Sequence, residues 1–249
     1  MAEIILHDDE RIDDLQLADL HIIQSENAFR FSMDSVLLAD FASLHNRALV
    51  CDLGTGTGII PLLLYGRNNT IICDAIEIQP DAAERAGRSI LLNNAQAHIR
   101  IINGDLRQVR KLLSHGKYSL VTCNPPYTAI DASIPSPKAA IRGARQEDTC
   151  TFDDVASAAN WLLKDHGKFA FMLPANRLCE ITQTLRSYRL EIKRLRFVHS
   201  MIDRNARLML AEAMKGVSPG VEVLPPLIIH NADGTETTEL KRIYHQEVK

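Results

Sequence analysis

Short apolar-rich runs recur along the 249-residue chain at 48–53, 70–78, 98–103, 118–123 and 167–173. Near-continuous runs of this length, rich in Val, Ile, Leu and Cys, are what strands buried on both faces require. Amphipathic stretches separate them. Residues 59–65 open a helix, Asp81 caps another that carries Ala82, Ala86 and Ile90, and 106–113 reads as helical. Residues 152–163 place Phe152, Val155, Ala159 and Leu162 on one helical face. Strand and helix therefore alternate, the signature of a doubly wound, mostly parallel α/β sheet. The last third is less regular: a helix over 176–188, strands over 190–199 and 207–214, an extended segment at 225–230, a turn at 231–234, and a helix beginning at Thr238. Ahead of the alternation, 15–24 reads as a strand or hairpin. Ser32 caps a helix whose stripe is Leu37, Phe41 and Leu44. This divides the chain into an N-terminal extension with a capping helix, 1–47, and a main domain, 48–249.

Composition narrows the class without naming a function. Hydrophobic residues make up 46% and charged residues 24%, the balance of an ordinary globular protein. No apolar run approaches the ~20 residues of a membrane span, and residues 1–10 lack the apolar core of a signal peptide. The five cysteines are scattered without a C-x-x-C pair, and the nine histidines show no H-x-x-x-H spacing. The expectation is a reduced, cytoplasmic protein without a metal, a membrane partner or an obligate protein partner. Charge is uneven beneath the net −3. Residues 1–27 hold eight acids against one base, which leaves the remainder basic by four.

The stretch that organises the chain is Asp52-Leu53-Gly54-Thr55-Gly56-Thr57-Gly58, between a buried strand and a helix. Glycine at every second position permits a sharp turn with positive φ and lets a ligand lie against the backbone. The dinucleotide fingerprint would need glycine where Ile59 stands, so an NAD site is disfavoured. Glu77 ends the second strand nineteen residues past Gly58, near the offset at which an acid meets a ribose hydroxyl. Asp105 follows the third strand. Three acids at successive strand tips point to one ligand-binding edge. Asn124-Pro125-Pro126-Tyr127 leaves the fourth strand at that same edge. The prolines fix the backbone and remove two donors, leaving carbonyls to accept from a planar amino group. Tyr127 offers a face for stacking.

These motifs resemble the class I S-adenosylmethionine-dependent methyltransferases that modify planar amino nitrogens: adenine N6, cytosine N4 or glutamine N5. Arg11-Ile12-Asp13-Asp14-Leu15, His21-Ile22-Ile23-Gln24, the stretch from Phe29 to Leu38 and the terminal Pro225-Pro226-Leu227-Ile228-Ile229-His230 narrow the likeness. With them, nearly the whole chain is similar to the bacterial tRNA1(Val) adenine-N6 methyltransferases. The resemblance implies a Rossmann-like, seven-stranded sheet, S-adenosyl-L-methionine as cofactor, and a tRNA adenine as substrate. It also implies residue roles. Asp52, Gly54 and Gly56 would meet the methionine part of the cofactor, Glu77 the ribose, and Asp105 the adenine amino group. Phe31, Ser32 and Asp34 match a motif near the cofactor carboxylate. Asn124, Pro125 and Tyr127 would hold the target base, with Asn124 counted in the cofactor set as well. Glu147 sits in Arg145-Gln146-Glu147 where family members commonly carry Arg-His-Glu, so Gln146 departs from the pattern.

Two basic stretches are candidates for RNA phosphates: Lys138, Arg142 and Arg145 after the catalytic loop, and Arg186, Arg189, Lys193, Arg194 and Arg196. Other readings remain open. DNA adenine methylation lacks an obvious target-recognition domain here. Glutamine methyltransferases carry a sizeable helical domain ahead of the glycine loop, where this chain has 49 residues before Val50. A non-catalytic RNA-binding module would have little use for an intact Asn124 and Tyr127.

Overall fold

The computed structural model describes residues 5–26, 33–125 and 150–246. The expectations placed on Phe31, Ser32, Tyr127, Lys138, Arg142, Arg145 and Glu147 lie outside the described residues. The chain opens with an antiparallel hairpin, β1 (Glu10–Asp14) and β2 (His21–Ser25). It then builds β3 (Leu49–Leu53), β4 (Ile72–Glu77), β5 (Ile99–Asn103), β6 (Tyr118–Cys123), β7 (Leu163–Pro174), β8 (Leu190–His199) and β9 (Leu208–Lys215). Two short strands, β10 (Glu222–Val223) and β11 (Leu227–Ile228), add to β8. The sheet order is β10-β8-β9-β7-β6-β3-β4-β5. β5, β4, β3, β6 and β7 run parallel, and only β9 among the seven principal strands is reversed, pairing antiparallel with β7 and β8. The C-terminal ends of β3 to β8 consequently meet at one edge, where ligands of open α/β sheets bind.

Both faces of this sheet are covered. Along β7, Ala170 and Met172 join an apolar cluster on one face while Phe169, Phe171 and Leu173 join the other. That alternation is the period-2 pattern of a pleated strand. Helices α1 (Met33–Phe41) and α2 (Ile59–Arg67) cover the first face. α3 (Pro80–Leu92) and the short α4 (Val109–Leu112) follow their strands. α5 (Phe152–Leu162) and α6 (Leu178–Ser187) cover the second face, and α7 (Thr238–Ile243) returns to the first. α5 begins on a capping box, Thr151 accepting from the Asp154 amide while Asp154 accepts from Thr151. Cys51, Cys73 and Cys123 are buried free thiols within the core, and burial pushes all three pKa values up. Among the described residues no helix is long and apolar enough to cross a membrane.

Four elements differ from the sequence expectation. The hairpin's first strand is Glu10–Asp14, upstream of the predicted 15–24, which instead supplies the turn and the second strand. β2 is an edge whose outward backbone is satisfied by α3: Ile23 N donates to Ser89 Oγ at 3.0 Å and His21 N to Asn93 Oδ1 at 2.8 Å. Asp81 does not cap α3. Pro80 takes the first helical position, so Gln79 is the cap and its amide donates to Glu77 Oε1 at 2.9 Å. α1 ends at Phe41, and Leu44 packs on the same cluster from outside the helix. β7 starts at Leu163, four residues before the predicted strand, because Leu163 pairs with Tyr118 across a bulge; the exposed polar Lys164, Asp165 and His166 break the apolar run there.

Candidate active site

The glycine loop is pinned before it meets any ligand. Gly54 N and Thr55 N both donate to Ile76 O at 2.9 and 3.0 Å, which ties the tip of β3 to the tip of β4. Gly54, Gly56 and Gly58 have φ of 70°, 57° and 81°. The first two serve a different purpose from the third. A Cβ on Gly54 or Gly56 would meet no atom within 4 Å among the described residues, whereas one on Gly58 would stand 3.4 Å from Ala86 Cβ of α3. Gly58 thus permits close packing where α2 begins, and Gly54 and Gly56 present bare backbone to open space.

The strand-tip acids surround this loop. Glu77 accepts from Gly56 N at 2.8 Å with one oxygen and from Gln79 N with the other, so it braces the loop while each oxygen retains a further lone pair. Asp105 caps the turn at Leu106–Gln108, accepts from Arg107 N at 2.9 Å and pairs with the Arg107 guanidinium at 2.7 Å. The Arg107 hydrogen bond lowers the Asp105 pKa. Asp34 lies in the first turn of α1. Asp52 is fully buried. Its Oδ1 accepts from Thr122 Oγ1 at 2.6 Å, but Oδ2 has no partner among the described residues. Burial pushes its pKa up to about 7, with the Thr122 bond acting against the shift.

One strand further along, Asn124 leaves β6. Its Nδ2 donates to Ser35 Oγ of α1 at 3.1 Å, and its Oδ1 is buried without a partner among the described residues. Unpaired buried polar atoms are costly, about 1–3 kcal/mol each, and native proteins keep few of them. Two such oxygens at the tips of adjacent strands, beside a bare glycine backbone, mark the place where a polar ligand completes the bonding. An ammonium group fits Asp52 Oδ2, and an amino group fits Asn124 Oδ1.

A family model described as methyltransferase small domain matches residues 30–188, which include the glycine loop, all three strand-tip acids and Asn124. The chain belongs to this methyltransferase family. Its relatives include a tRNA1(Val) (adenine(37)-N6)-methyltransferase of Porphyromonas gingivalis, 30% identical over 233 residues that cover 89% of each chain. Another, from Pedobacter heparinus, carries the same name and is 29% identical over 179 residues, 72% of this chain and 74% of that one. Among solved structures, a predicted O-methyltransferase from Agrobacterium tumefaciens superposes with a TM-score of 0.69 at 21% identity. The match covers 86% of this chain and 98% of that one, a likeness of fold. The sheet and loop are those of a class I methyltransferase, for which S-adenosyl-L-methionine is the methyl donor.

Outside the cofactor half, this methyltransferase departs from the sequence reading. Arg194 and Arg196 do not form one basic face with Lys193. A bulge in β8 between Ile192 and Arg194 switches the side-chain parity and turns both arginines onto the face of α1 and α7. Arg194 stacks 4.6 Å from the Phe41 ring centroid and donates to Ser43 Oγ at 2.7 Å, beside buried Glu212. Arg196 grips Glu239 with two bonds at 2.8 and 2.9 Å and donates to Pro225 O. Arg186 pairs with Glu191 at 3.2 Å, and Lys193 donates to Ser218 O. Arg189 precedes the start of β8, so at about 3.3 Å per residue it stands roughly 30 Å from the strand's far tip. The sequence reading missed Ser35, whose partner is 89 residues away. It also missed exposed Arg204 and Arg207 in the loop joining β8 to β9.

Proposed function

We propose that the protein transfers a methyl group from S-adenosyl-L-methionine to the exocyclic N6 of an adenine in a valine tRNA, at the anticodon-loop position its relatives' names number 37. The observation that carries this reading is Asn124, with its amide nitrogen engaged by Ser35 and its buried Oδ1 left to accept. Support also comes from the bare Gly54 and Gly56 backbone and from Asp52 Oδ2 on the neighbouring strand. On this reading Asp52, Gly54 and Gly56 hold the methionine end of the cofactor, Glu77 its ribose and Asp105 its adenine, with Asp34 and the preceding Phe31 and Ser32 at its carboxylate. When bound, the cofactor supplies an electrophilic methyl group on a sulfonium.

The protein's task is to turn a poor nucleophile into a positioned one. The lone pair of an adenine amino group is delocalised into the ring. Asn124 Oδ1 accepting one hydrogen, and the Pro125 carbonyl accepting the other, favours a pyramidal nitrogen whose lone pair can be aimed. The role this reading gives Tyr127 is to stack on the ring. Alignment of this kind can supply about 7–11 kcal/mol of a two-reactant barrier. The methylated nitrogen is acidic, so no histidine is assigned as base. The target must come unstacked, which a loop nucleotide does at low cost. The test is Asn124→Ala in single-turnover methyl transfer to anticodon-loop RNA. Transfer should fall ~10²-fold, the scale for losing one preorganised hydrogen bond. Cofactor affinity should stay within a few-fold. Near-wild-type transfer by the folded variant would remove Asn124 from the chemistry.

A further inference from the structure

The tRNA reading requires a surface for phosphates, and the described basic stretch in β8 does not provide one at the reactive edge. We propose that Arg204 and Arg207, in the loop between β8 and β9, hold the phosphates that flank the target nucleotide. The proposal rests on the reading of the substrate as RNA and adds where its backbone runs.

Topology brings the loop to the right place. β8 is antiparallel to β9, which is antiparallel to β7, so β8 ends at the same edge as β6 and Asn124. β9 lies two strands from β6 and β8 three, which at a spacing of about 4.8 Å puts the loop ~10–14 Å to the side of Asn124. The cofactor half, β3 to β5, lies on the opposite side of β6 and carries Asp52, Glu77 and Asp105. A base inserted at β6 therefore has acids on one flank and this loop on the other, and a polyanion is directed to the loop.

The loop is also fixed and its charge is spare. Arg207 N donates to Val198 O at 3.1 Å, and Arg207 O accepts from Ala175 N at 3.0 Å beyond the tip of β7. Arg204 N donates to Met201 O, Arg204 O lies 2.7 Å from His199 Nδ1, and Ser200 O accepts from His230 N at 2.9 Å. Neighbouring arginines of the same edge are neutralised, Arg107 by Asp105 and Arg177 by Glu180. Among the described residues Arg204 has only Asp203 as an ion-pair partner, at 3.9 Å with both side chains about 70% exposed, a contact of little strength in water. Arg207 is exposed and makes no ion pair within 4 Å among the described residues. Two exposed cations on a hydrogen-bonded loop, at the edge where the base enters, suit phosphate oxygens.

The test compares Arg204→Gln/Arg207→Gln with Arg189→Gln/Lys193→Gln, measuring binding of anticodon-loop RNA against salt and single-turnover methylation. The first pair should flatten the log–log salt slope by about 1.4, the single-strand value for two phosphates. It should weaken RNA affinity while the rate at saturating RNA and the cofactor affinity stay within two-fold. The second pair should leave the slope unchanged. A wild-type slope for Arg204→Gln/Arg207→Gln, with the protein still binding cofactor, overturns the proposal while the methyltransferase reading stands. A wild-type protein with no salt-dependent RNA binding overturns the RNA reading itself, and the proposal with it.

Discussion

Asp52 holds one carboxylate oxygen against Thr122 and keeps the other buried, without a hydrogen-bond partner among the described residues. Because its folded pKa of about 7 lies above the ordinary carboxylate value, the folded protein binds a proton there that the unfolded chain has released. Stability should therefore fall as pH rises from about 4 to about 7 and level off above, by up to ~4 kcal/mol at 1.36 kcal/mol per unit. Asp52→Asn should remove that fall and raise the midpoint of thermal unfolding at pH 8, while weakening S-adenosyl-L-methionine in calorimetry. A variant with the wild-type pH profile would show that Asp52 does not titrate in this window. Residues of this kind were legible in the sequence because identity and spacing carried them: an acid two positions before a G-x-G-x-G loop, and Asn-Pro-Pro-Tyr after a strand. Ser35 was not legible, because its contact with Asn124 exists only once α1 lies across the tip of β6.

The hairpin shows the same limit at the level of an element. β1 is Glu-Arg-Ile-Asp-Asp, with no apolar alternation to signal a strand. What holds it is Glu10, whose side chain is fully buried between Arg85 and Arg88 of α3 at 3.0 and 2.6 Å. The Arg88 hydrogen bond holds the Glu10 carboxyl down at about 2. A depressed carboxylate stabilises above its unfolded pKa. This contribution should be intact above pH ~4.5 and disappear as pH falls toward ~2, roughly 3 kcal/mol by linkage. Glu10→Gln, which takes the carboxylate from buried Arg85 and leaves Arg88 with Glu84, should cost about 3 kcal/mol in denaturant unfolding. A loss below 1 kcal/mol would mean that the hairpin is held by buried Ile22 and Ile23 and by the bonds of β2 to Ser89 and Asn93 instead. The bulge in β8 was invisible for a related reason. A period-2 reading carried across 190–199 cannot show the one extra residue that sends Arg194 and Arg196 to the opposite face.

Across the whole molecule the reactive edge is divided by strand order. β3, β4 and β5 carry the acids, the end of β6 in the middle carries Asn124 Oδ1, an acceptor without a partner among the described residues, and the β8–β9 loop carries exposed Arg204 and Arg207. The alternation of strand and helix made the parallel part of this sheet readable in advance. The reversed β9, which sets β8 parallel to the rest and brings residues 200–207 to the site, followed only from the pairing. Nucleoside mass spectrometry reads the reaction itself. The purified protein would be incubated with methyl-labelled S-adenosyl-L-methionine and an unmodified valine tRNA transcript, and the tRNA digested to nucleosides. Labelled N6-methyladenosine is expected, about one per tRNA, and abolished when the anticodon-loop adenine is replaced. A folded, cofactor-binding protein that leaves the tRNA unlabelled, or places the label on another nucleoside, would contradict that reaction.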